Sequence, residues 1–153
     1  MTFAEERLTG IGGSDAASLF NIGFGCRRRL WYQKTQTPED FPREESDAMA
    51  LGKALEPFFI EKYAQQAGRH IASVGDFMAH AEIPYLIVHV DAYVYDDARF
   101  TGQEDVHLPG VLEIKSCGRG AFYKYKREGL PEDYILQLQH TLPLCYTSHI
   151  TSL

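Results

Sequence analysis

No hydrophobic run in the 153-residue sequence approaches the ~18 residues that a membrane span needs. The first ten residues, MTFAEERLTG, carry acids and no apolar stretch. No secretory signal is expected from them, and the cytoplasm is the expected compartment. Cysteine is scarce. Cys26, Cys117 and Cys145 are odd in number and have no CxxC spacing, which argues against a disulfide framework and against a four-cysteine metal site. Internal repeats and low-complexity segments are also lacking. So is any excess of positive charge: the formal net charge is −6, and the bulk value does not advertise a nucleic-acid binder. What remains is ordinary for a soluble globular fold, with 44% hydrophobic and 24% charged residues and a length that suits one domain over residues 1–153.

The positive charge that is present is concentrated. Nine of the 15 basic residues fall in RRRLWYQK (27–34) and KSCGRGAFYKYKR (115–127), neither of which contains an acid. Both interleave bases with aromatics, a pattern that suits phosphate contact beside ring stacking. Arg28, Arg119 and Lys124 are therefore candidate DNA contacts. Two solvated amphipathic helices would account for the same residues.

The chain order reads as helices, then strands, then helices, an α/β (α+β) class. TGIGGSDAASLFN is a glycine-rich turn opening a short helix that Ser14 or Asp15 can cap. A second short helix covers CRRRLWYQKT, and the polar stretch 35–46 is a loop. From Asp47 to Ala67, Met49, Gly52, Glu56, Phe59, Ile60 and Tyr63 recur at helical spacing and predict a buried stripe. Pro57 predicts a kink or a helix start near it. HIASVGDFMAH and LIVHVDAYVYD read as strands. Residues 96–110 form a turn-rich connection into a further strand, GVLEIKS (110–116), expected to pair antiparallel with the strand before it. RGAFYKYKREG is a helix closed by Gly129. Pro131 opens the last helix, EDYILQLQHTL, and Pro143 stands where that helix would run on.

Glu113 and Lys115 lie two apart in the GVLEIKS strand and so share a face. Asp91 lies in an otherwise hydrophobic strand, and Glu56 lies on the apolar stripe of its helix. A buried carboxylate needs a cation partner. Converging carboxylate oxygens with water suit Mg²⁺ or Mn²⁺, which can activate water for attack on phosphorus. Lys115 would hold the water and stabilise developing charge. Each residue alone has a plainer account: Glu–x–Lys is commonly a surface ion pair, Asp91 could accept from a backbone amide, and Gln137 could belong to a polar helix face. The combination carries the argument.

These residues resemble the PD-(D/E)XK nuclease superfamily, and more closely its YqaJ-like viral recombinase group, which includes lambda-type exonucleases. Four segments fit in order from Arg7 to Leu142: RLTGIGGSDAA (7–17), GKALEPFFIEKY (52–63), LEIKS (112–116) and PEDYILQLQHTL (131–142). The resemblance implies a restriction-endonuclease-like mixed sheet flanked by helices. It implies Asp91, Glu113 and the Ile114 carbonyl as metal ligands, Lys115 as the water-orienting base, and Glu56 and Gln137 as further catalytic residues. Arg7 and Ser14 match positions that contact a 5′-phosphate. The implied activity is a Mg²⁺-dependent phage-type 5′→3′ exonuclease acting on duplex DNA ends in recombination, with Mn²⁺ as a substitute. A homotrimer and a single-strand annealing protein are the implied partners, and a bacterial host harbouring the phage or prophage is the implied setting. Val90 precedes Asp91 where the superfamily pattern has proline. The group's pattern continues beyond the glutamine helix, so the chain is expected to be a C-terminally truncated form with an uncovered sheet edge. The competing functions are a catalytically impaired DNA-binding protein on the same scaffold and a phage-type endonuclease.

Overall fold

A computed structural model describes residues 3–23, 25–36, 45–96 and 110–150. In chain order these form α1 (Phe3–Leu8), α2 (Gly13–Leu19), α3 (Arg27–Thr35), α4 (Asp47–Ala67), β1 (Arg69–Ala79), β2 (Ile87–Asp96), β3 (Gly110–Leu112), α5 (Arg119–Glu128) and α6 (Glu132–Ile150). The class is α/β, as the sequence predicts, with α1 as an unanticipated addition. Most of the two expected polar connections, residues 37–44 and 97–109, lies outside the described residues. The strands form one sheet in the order β1-β2-β3. β2 and β3 run antiparallel, with Ala92 opposite Leu112, Tyr93 opposite Val111 and Val94 opposite Gly110. No described helix is long and apolar enough to cross a membrane. All three cysteines are free thiols.

The chain divides into two compact units. The first takes residues 1–44, 77–89 and 117–153, and so holds α1, α2, α3, α5 and α6. In it, α2 packs on α6 at close range. A Cβ on Gly13 would lie 3.0 Å from Thr141 Oγ1 and 3.1 Å from Gln137 Cγ. Ala16, Ala17, Leu30, Ile87, Val88, Leu144 and Cys145 are buried here. Ile11 forms a parallel bridge to Leu86: its N–H donates to Tyr85 O at 2.7 Å, and its carbonyl accepts from Ile87 N at 3.0 Å. That approach is why residue 10 is glycine, since a Cβ there would sit 2.3 Å from the Tyr85 carbonyl oxygen.

The second unit takes residues 45–76 and 90–116. Ser46 caps α4 by accepting from Met49 N, and Gly68 ends it in the left-handed region at φ 59°. The helix runs through Pro57, so the expected start near that proline does not occur. Its inward stripe is also rotated from the predicted one. Gly52, Leu55, Glu56, Ile60, Tyr63 and Ala64 turn inward, while Met49 and Phe59 are exposed. Glu56 remains central to the stripe. On β2 the even positions Val90, Ala92 and Val94 are buried, whereas Asp91 on the opposite face keeps some exposure.

Two further expectations are corrected. The strand predicted over 110–116 ends at Leu112, because the Ile114 N–H that would carry the ladder onward donates to a side chain instead (below). The last helix does not stop at Pro143 but continues to Ile150. Pro143 falls on the exposed side while Thr141, Leu144 and Cys145 are buried. Burial along that side outweighs the one backbone hydrogen bond that the proline removes.

Candidate active site

Asp91 and the segment after β3 define the centre of the second unit. Asp91 Oδ2 accepts a 2.6 Å hydrogen bond from Ile114 N, so the backbone that leaves the sheet is fastened to the carboxylate. The same turn of chain brings Glu113 round, with its side chain only 8% exposed. Lys115 Nζ donates to Glu113 Oε1 at 2.5 Å and stays one-third exposed. The other oxygen, Glu113 Oε2, is buried and accepts no hydrogen bond among the described residues. Across from Ser116, Gly52 gives α4 a near approach: a Cβ there would meet Ser116 Oγ at 2.9 Å. Glu56 follows one helical turn later.

The electrostatics join these groups. Burial pushes the Asp91 carboxyl above its ordinary pKa, opposed by the Ile114 N–H and by Lys115. Burial also raises Glu113; Lys115 opposes the rise, and the charges of Asp91 and Glu56 add to it. Glu56 is raised by burial and then by Asp91, with Lys115 and Lys53 opposing. Three carboxylates therefore repel one another beside Lys115, which acts on all three, and a further positive charge would relieve them. Among the described residues, no three His, Cys, Asp or Glu side chains close on one ion position. The donor set that the family resemblance implies is two carboxylates, Asp91 and Glu113, with the Ile114 carbonyl. Mg²⁺ is commonly held this way, by one or two carboxylates with water completing the shell. The residues fit that ion class.

The other predicted site residues lie in the first unit. Arg7 and Ser14 meet there: Arg7 Nη2 donates to Ser14 Oγ at 2.7 Å. Between them and α3 sits Asp15, with 3% exposure. It accepts from Lys34 Nζ at 2.7 Å, from Arg7 at 3.4 Å and from Gly12 N at 3.1 Å. Burial works to raise its pKa but is outweighed, first by the Lys34 hydrogen bond and charge, then by the Gly12 N–H and Arg7, so the carboxyl is held low. Lys34 also donates to the Arg7 carbonyl. Ser14 thus does not cap α2; Asp15 takes the Gly12 N–H and ties two cations together. Sequence spacing could flag Asp15 as a capping acid, but nothing in it pairs residue 15 with residues 7 and 34. Gln137 lies on α6 against Gly13. Arg28 stands with its guanidinium 5.8 Å from the Tyr32 ring centre, and Arg119 and Lys124 are exposed on α5. Unforeseen too is His89, whose Nε2 lies 3.0 Å from Glu6 Oε2 and whose ring stacks near Phe3 and Phe77.

Comparison with known proteins bears on the family and the fold. The family pattern of the YqaJ-like viral recombinase domain matches residues 2–147. The uncharacterized protein YqaJ of Bacillus subtilis (strain 168) is 27% identical over 139 residues, covering 90% of this chain. The chain spans about 40% of that relative's length. Among solved structures, LHK-Exo, crystallised in complex with dAMP, superposes with a TM-score of 0.69 over 94% of this chain and 67% of its own, at 23% identity.

Proposed function

Because this chain belongs to the YqaJ-like viral recombinase domain family, we infer that it is a DNA nuclease hydrolysing phosphodiester bonds with Mg²⁺, for which Mn²⁺ can substitute. One observation carries the reading: the mutually repelling Asp91, Glu113 and Glu56 carboxylates gathered beside Lys115. Asp91, Glu113 and the Ile114 carbonyl would hold the cation, and Glu56 would complete the acidic set through water. When bound, such an ion lowers the pKa of coordinated water and neutralises charge on phosphate oxygens. Lys115 would orient the attacking water and stabilise negative charge developing on the phosphate oxygens. The Ile114 N–H fixes the Asp91 carboxylate in one orientation before substrate arrives. Gln137 contributes an amide to a phosphate oxygen.

The substrate proposed is a duplex DNA end degraded 5′→3′. Arg7 and Ser14 would receive the terminal phosphate through a charge-assisted hydrogen-bonding fork. Arg28, Arg119 and Lys124 would contact the duplex backbone. A homotrimer, a single-strand annealing partner and the cytoplasm of a phage-bearing bacterium belong to the same proposal. Linear and circular duplexes incubated with the full chain in Mg²⁺ or in EDTA test it. The expected result is loss of linear DNA in Mg²⁺ alone, faster from 5′-phosphorylated than from 5′-hydroxyl ends. Arg7→Ala should abolish that end preference while keeping the fold. Cleavage of circles would mark an endonuclease, and no cleavage at all would mark a DNA-binding protein.

A further inference from the structure

Helix α5 turns Ala121 and Tyr125 inward and leaves its other residues in solvent. The Tyr125 ring meets Tyr134 of α6 edge-on at 5.9 Å. The outer stripe is Arg119, Phe122, Tyr123, Lys126 and Arg127, at i, i+3, i+4, i+7 and i+8. A core helix fills this spacing with apolar side chains. Here it holds one cation, two rings and two cations, all exposed. Phe122 and Tyr123 are 52% and 54% exposed and pack edge-to-face at 5.5 Å. The Arg119 guanidinium stands 5.7 Å from the Tyr123 ring centre. The helix has a single acid, Glu128, and it is bonded to Arg127.

A duplex can use the cations of this stripe but not its two open rings, because the base faces of a duplex are hidden. Rings and cations together match a strand that offers bare base faces and phosphates alternately. We propose that the outer face of α5 binds single-stranded DNA, with unpaired bases stacking on Phe122 and Tyr123 and phosphates contacting Arg119, Lys126 and Arg127. The surface rests on the nuclease reading only for the origin of the strand, which would be the one left when its complement is degraded. The chemistry of the stripe stands without it.

Binding of a dye-labelled oligodeoxythymidylate to the full chain, followed by fluorescence polarisation in EDTA so that nothing is cleaved, tests the proposal. Phe122→Ala and Tyr123→Ala should each weaken binding about tenfold and leave its salt dependence unchanged. Lys126→Gln should lower the slope of log affinity against log salt by about 0.7. Phe122→Trp should retain binding and Phe122→Leu should weaken it as much as alanine does, because stacking needs a π face where general hydrophobic docking does not. Since both rings are exposed, circular dichroism and Tm should not change. Failure of the wild type to bind, unchanged affinity in both alanine variants, or full retention by Phe122→Leu would overturn the proposal. A change in sedimentation of the aromatic variants without loss of oligonucleotide binding would overturn it too, by marking the face as a protein interface. Mg²⁺-dependent cleavage of duplex by the wild type, measured in parallel, can fail while single-strand binding stands, so the two readings fall separately.

Discussion

Asp91 serves the proposed chemistry at the expense of the cation-free fold. Its pKa is raised chiefly by burial, so folding disfavours its charged form; the cost is complete above the raised folded pKa and shrinks away as pH falls from there to the ordinary, unfolded value. Asp91→Asn keeps an acceptor for the Ile114 N–H and removes the charge. Without divalent ion the variant should melt about 2–4 °C above wild type, the response to ~1 kcal/mol in a chain of this size, and calorimetry should show that it no longer takes up Mn²⁺. Lys115→Ala should take up Mn²⁺ and cleave nothing; equal loss of ion binding in both variants would refute this division of roles. Asp15 runs the opposite way. Its folded pKa is held below 3.8, so its stabilisation is complete above its unfolded value and is lost as pH falls through the lower folded one. Asp15→Asn leaves Lys34 and Arg7 facing an uncharged amide and should cost about 3 kcal/mol in urea at pH 7, a gap that closes in acid. The first of these residues is legible in sequence and the second is not. An acid in the run LIVHVDAYV has no ordinary reason to be there, whereas Asp15 looks like any helix-start acid until the fold brings residues 7 and 34 to it.

Element boundaries follow the same division between local and distant causes. α3, α5 and the stop of α4 at Gly68 were readable because their signals lie within a few residues: helical spacing, Gly68 and Gly129. Sequence overextends β3 because the strand's end depends on the bond from Ile114 N to Asp91, 23 residues upstream of Ile114. Sequence ends α6 too early because Pro143 is a strong local signal, overruled in the fold by the burial of Thr141, Leu144 and Cys145. The inward stripe of α4 was rotated because Met49 and Phe59 are apolar yet exposed. Two glycines separate these cases experimentally. Gly10→Ala drives a methyl into the backbone at Tyr85 and should destabilise by about 1–3 kcal/mol. Gly52→Ala meets only the Ser116 hydroxyl, which can rotate away, and should cost well under half as much in the same urea titration.

Over the whole molecule, a charge of −6 predicts weak attraction to DNA, yet segments 27–34 and 115–127, which contain no acid, gather nine of the 15 cations. Duplex affinity should therefore fall steeply with salt. Arg28→Ala and Arg119→Ala should each flatten the slope by ~0.9, while a uniform acidic surface would give no such slope. The Ile114 N–H can extend the sheet or fasten Asp91, and it does the second. Valine or isoleucine at position 91 would free that N–H for the ladder and add a strand-forming side chain. Selection for stability alone would thus pull this position away from aspartate generation after generation. Under the proposed function, descendants relieved of the need to cut DNA should lose Asp91 early and become sturdier for it, so that persistence of this one aspartate in a lineage would record an activity still in use.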